Sequence, residues 1–98
     1  MVQGGTNGAS ATASAAFTSL TTTDSNSIII GVISDWNGMS GALSFRDAPV
    51  VNSLDFLSPS KTRGIHFYNT NSTVGLHNVG LLSPTSGGSS ITVLEIKK

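Results

Sequence analysis

The stretch Ser27-Ile28-Ile29-Ile30-Gly31-Val32-Ile33-Ser34 limits what this chain can become more than any other part of it. It is the only continuous run of large β-branched residues, and such residues favour a strand over a helix. Side chains alternate across a strand, which puts Ile28, Ile30 and Val32 on one side. Ile29 and Ile33 take the other side, with Gly31 between them. A strand apolar on both sides belongs in the middle of a sheet. One face is expected to pack in the subunit's own core. The other needs cover from a second sheet or from a neighbouring chain.

The remainder reads as short strands separated by turns. Ala15 to Thr23 carries Phe17 and Leu20 among Thr and Ser, and Asp24-Ser25-Asn26 turns it. After the central strand, Asn37-Gly38 is a strong turn signal. Ala42 to Arg46 alternates, with Leu43 and Phe45 on one face. Val50 to Leu57 is a further strand with a bulge expected at Asn52-Ser53, and Gly64 to Asn69 is another with Ile65 and Phe67 inward. Asn69 to Ser72 reads as a turn, and Thr73 to Leu82 as a strand interrupted by Gly75 and Gly80. Ile91 to Ile96 is the last strand. About seven short strands with no helical periodicity predict an all-β antiparallel sandwich, jelly roll or small barrel. The alternative is a parallel β-helix fragment, suggested by Gly75-Leu76-His77-Asn78-Val79-Gly80, although no repeat of fixed period runs through the chain. Residues 1–14 hold no large apolar residue after Val2, which predicts a flexible or arm-like segment ahead of a single β domain over 15–98.

Charge narrows the function classes. Only 10% of the 98 residues are charged, against the usual quarter, and the formal net charge is zero. Such a neutral surface invites association, so a homo-oligomer is expected, a trimer by preference. Five scattered Lys and Arg cannot track a phosphate backbone, which argues against nucleic acid. With no Cys there is no disulfide, thiolate nucleophile or Cys-based metal site. No signal peptide is visible, and no apolar run approaches the roughly 20 residues of a membrane helix.

Candidate chemistry is sparse. His66 and His77 are the only histidines and are weak metal candidates, with Asp55 or Asp47 as further ligands, if a hairpin brought them together. No Gly-x-Ser-x-Gly elbow occurs, and the carboxylates are dispersed; no enzymatic activity and no cofactor are expected. Asp35-Trp36-Asn37-Gly38 begins like a calcium loop but lacks the later ligands. Trp36 between Asp35 and Asn37 has the make-up of a sugar contact: a ring to stack and polar neighbours to bond. Tyr68 with Asn69 and Asn71 is a second such patch. Asn71-Ser72-Thr73 fits the glycosylation pattern by chance.

In composition and strand rhythm, with Gly, Ser, Thr and Asn in quantity and a small-residue N-terminus, the whole chain resembles small β-rich virion modules. These are phage tail-fibre or tailspike domains and capsid decoration proteins. The closing Gly88 to Lys97 is similar to the last strand of immunoglobulin-type domains, without their Cys pair. The virion resemblance implies a non-enzymatic structural part, assembled in a host cytoplasm, contacting copies of itself or other virion proteins. The alternative is a carbohydrate-binding, receptor-recognition module using the Trp36 loop.

Overall fold

The computed structural model describes residues 2–10, 15–36, 39–46, 52–58, 62–71, 73–85 and 88–97. They form eight strands: β1 (Val2–Ser10), β2 (Phe17–Thr22), β3 (Ser27–Asp35), β4 (Ser44–Phe45), β5 (Asn52–Leu57), β6 (Arg63–Asn71), β7 (Gly75–Ser83) and β8 (Ser89–Lys97). Five make one sheet in the order β1-β8-β3-β6-β5, and three make a second, β2-β7-β4. The Ile-rich run is the middle strand of the larger sheet, paired along its whole length with β6 and β8. Every strand pair is antiparallel, which removes the β-helix alternative. The two sheets are separate, so the architecture is a sandwich and not a closed barrel.

Several local expectations change. Val2–Ser10, read as an arm, lies along β8 as the edge strand of the larger sheet, with one irregularity between Gln3 and Gly5. The strand expected over 42–46 shrinks to Ser44–Phe45, whose register against β7 shifts. No bulge occurs at Asn52-Ser53; the ladder runs unbroken from Asn52 to Leu57. Asn69 to Asn71 continue β6 instead of turning it.

The layer between the sheets is built from alternate residues. Ile29 and Ile33 from β3 meet Ile65 and Phe67 from β6, Ile91 and Val93 from β8, and Leu20, Val79 and Leu81 from the smaller sheet; all are buried. Burying a side chain of this size stabilises the fold by about 1.5–3 kcal/mol each. Gly31 is the gap in this layer. It sits directly opposite Phe67, whose ring fills the space a side chain would take: a Cβ there would lie 2.2 Å from the ring tip. Phe45 packs against the same ring, centroids 5.0 Å apart.

Polar groups close the two ends of the layer. At one end Glu95 is fully buried. Its carboxylate accepts the backbone N–H of Thr23 (3.0 Å) and Asp24 (3.3 Å) and the Ser27 hydroxyl (2.6 Å), tying the β2–β3 turn to β8. Burial pushes this carboxyl up, but those hydrogen bonds and nearby Lys97 outweigh it and hold it below its ordinary range. The turn has the Asp24 geometry the sequence predicts, with Asn26 N–H donating to Asp24 Oδ1 at 2.8 Å. At the other end Arg63 is buried. It donates to both carboxylate oxygens of Asp55, Nε at 2.8 Å and Nη2 at 2.6 Å. The Arg63 hydrogen bonds outweigh partial burial and keep the Asp55 carboxyl below its usual value.

Candidate functional site

Among the described residues, the alternation that fills the core leaves the opposite side of the five-stranded sheet without a layer over it. Cross-strand partners point the same way, so the register defines this outer face in rows. Ile28 lies between Ile96 and Thr70, Ile30 between Leu94 and Tyr68, and Val32 between Thr92 and His66. Ser34 lies between Ser90 and Gly64, with Phe56 beyond Gly64 at the edge. Ile28 and Val32 keep 40% and 39% of their surface exposed, and Phe56 66%. Three β-branched residues in the centre of an uncovered sheet face form an apolar patch flanked by Thr, Ser and one His. Among the described residues no Asp, Glu, Lys or Arg occupies these rows. At the Ile28 end the patch opens into a shallow cleft of about 300 Å³ that Asn26, Ser27 and Lys97 also line.

The second sheet has a different outer surface. Gly80 takes a positive φ of 137°, and Phe17 from β2 crosses over it so closely that a Cβ would lie 2.7 Å from the Phe17 Cα. The Arg46 guanidinium stacks on Phe17, 4.0 Å from the ring centre, and its Nε–H donates to the Leu81 carbonyl at 2.9 Å. A groove of about 300 Å³ runs beside it, lined by Arg46, Leu76, His77, Asn78 and Leu82.

The residues singled out in the sequence do not converge. Trp36 is 59% exposed, at the end of β3. Its backbone N–H donates to the Gly88 carbonyl at 3.0 Å, and a Cβ on Gly88 would lie 2.4 Å from the indole nitrogen. The missing side chain at Gly88 is what lets the indole approach that backbone. Asp35 points the other way: it is buried, and its Oδ2 accepts the Met39 N–H at 2.8 Å. Asn37 lies outside the described residues. Tyr68 is opposite Ile30, six residues along the strand from Trp36, about 20 Å at the usual strand rise. Asn69 is buried on the inner face. Asp35 and Asn69 therefore cannot join an exposed sugar site with Trp36 and Tyr68. Asn71 is also buried, its amide donating to the Asp24 carbonyl (2.7 Å) and to Ser27 Oγ (2.9 Å), which overturns it as an exposed sugar contact or attachment point.

His66 and His77 fall on different sheets, so no hairpin joins them. His66 is on the outer face of β6. His77 bonds the Thr73 carbonyl through Nε2 at 3.1 Å. Asp55 serves Arg63, and Asp47 lies outside the described residues. No group of three or more His, Asp or Glu suited to a metal occurs among the described residues. No helix among them is long and apolar enough to cross a membrane.

Comparison with known proteins returns nothing: no family model, no curated protein and no solved structure matches the chain.

Proposed function

We propose that this chain is a non-enzymatic structural module that acts by associating with copies of itself, of the kind that builds a virion tail fibre, tailspike or decoration layer. The observation that carries the assembly part is the uncharged, apolar outer face centred on Ile28, Ile30 and Val32. Isolated soluble domains seldom leave such a patch uncovered, and where one occurs it usually marks an interaction site. The virion part rests on composition: few charges, no Cys, and abundant Ser, Thr, Gly and Asn. Light scattering on the purified chain from about 10 to 100 µM tests the reading. A multiple of the 10.0 kDa chain mass supports it, and that multiple separates a trimer from a pair. A monomer across the whole range contradicts it.

The exposed Trp36 indole favours a second reading, a glycan contact at the end of β3. Without Asp35 and Asn69 this site consists of the ring and whatever its own loop supplies. A glycan array probed with wild type and Trp36→Ala decides it: binding lost in the variant supports the reading, and equal binding or none removes it.

A further inference from the structure

We propose that the occupant of the outer face is the same face of a second copy, packed about a two-fold axis, and that His66 makes the pairing acid-labile. This rests on the assembly reading above and names its partner and its control.

The size fits. Four strands of nine residues and one of six, about 4.8 Å apart at about 3.3 Å per residue, present a face of about 670 Å². A standard stable interface buries about 800 Å² per partner. The chemistry fits a copy better than a charged partner. The described rows hold no formal charge, and β1 contributes no titratable residue at all. Among the described residues Lys97 lines the cleft at the Ile28 end, but a single lysine at the rim is a poor match for an anionic polymer or lipid surface, whereas the rows of two identical faces meet with no like-charge repulsion. A single sheet face that meets its own copy closes as a two-fold pair. Sheets stack face to face about 10 Å apart at about 30°, which lets Ile28, Ile30 and Val32 interdigitate with their counterparts.

His66 stands in the Val32 row, exposed in the lone chain and enclosed in the pair. The other titratable groups on or beside the face are Tyr68 and, at the Ile28 end, Lys97, and across the seam the second copy brings its own His66, Tyr68 and Lys97. No carboxylate is there to hold an imidazolium. Removing a charged imidazolium from water costs free energy. Protonation therefore favours the separated chains.

Sedimentation equilibrium of the full chain at pH 7.5 and 5.0 tests this, with circular dichroism to confirm that each variant is folded. Wild type is expected as a dimer at pH 7.5 with a dissociation constant at least tenfold weaker at pH 5.0. Val32→Lys is expected as a folded monomer at both values, and His66→Leu as a dimer at both. An oligomer whose mass Val32→Lys leaves unchanged overturns the face-to-face pairing while the assembly reading stands. So does a trimer that Val32→Lys dissolves. A dimer equally tight at both pH values, or a His66→Leu dimer that still weakens in acid, overturns the role of His66. A wild-type monomer under all conditions overturns this inference and the assembly reading together.

Discussion

Replacing Gly31 by Ala puts a methyl group where the Phe67 ring now lies. The new carbon would sit 2.2 Å from Cζ and 2.5 and 2.8 Å from the two Cε atoms. Carbon atoms rest at about 3.5–4.0 Å, so the ring has to retreat by more than about 1 Å. Its retreat is blocked: Phe67 is only 4% exposed and Phe45 leans on it at 5.0 Å. Overpacking of this kind costs about 1–3 kcal/mol. The reduced freedom of the unfolded chain returns about 0.4–1 kcal/mol. The net expectation is a loss of about 1–2 kcal/mol, a fall in melting temperature of roughly 5–15 °C for a domain of this size. Urea unfolding followed by far-ultraviolet circular dichroism measures it. The decisive experiment is the cycle with Phe67→Leu, whose shorter side chain leaves room for the methyl. Gly31→Ala should cost at least about 1 kcal/mol less in that background. Costs that add within about 0.5 kcal/mol would refute the steric account, because independent sites behave that way.

Three further predictions follow from the polar groups and the exposed indole. Glu95→Gln turns an acceptor of four hydrogen bonds into a group that presents its own N–H to some of them, and is expected to cost about 2–3 kcal/mol at pH 7. Because the folded carboxyl lies below its unfolded value, its contribution is complete above about pH 5 and is lost as pH falls through the folded value, so the gap to wild type must narrow in acid; a gap that widens in urea titrations contradicts this. Asp55→Asn leaves the buried Arg63 guanidinium without its anion and is expected to lose about 1–2 kcal/mol, reduced because Asp55 is one-third exposed; unchanged unfolding midpoints would disprove it. Trp36, the chain's only tryptophan, should emit at a wavelength typical of a hydrated indole and be quenched by iodide, whereas a blue-shifted, protected emission would place it under a lid.

The strongest part of the fold was legible because it rests on side-chain chemistry. The β-branched run over 27–34 marked β3 to within one residue, and Ile65 and Phe67 were read as inward because alternation in a half-buried strand leaves little choice. β1 was not legible. Val2–Ser10 contains no residue that reports burial, and its place is set by a backbone ladder to β8 that sequence patterns do not register. Asn69, Thr70 and Asn71 carry turn-forming chemistry, yet all three continue β6, and Asn69 and Asn71 are buried polar groups of its inner face. Asp35 shares the parity of Ile29 and Ile33, and Asn69 that of Ile65 and Phe67, so the same alternation that found the core also directs both away from solvent. The outer face is visible as the second apolar side of β3, and the structure adds that Ile28 and Val32 on it remain exposed, with no strand among the described residues packed over them.

The face-to-face pairing is tested most directly by distances between copies. The chain has no Cys, so a single introduced Cys can carry a spin label. Ser34→Cys places it at the end of the outer face, and Ser19→Cys places it on the exposed side of the smaller sheet. Double electron–electron resonance at pH 7.5 should give a defined inter-copy distance for both. The Ser34 pair should be the shorter, since two sandwich thicknesses separate the Ser19 labels. A shorter distance between Ser19 labels, or no dipolar signal from Ser34, would contradict the pairing.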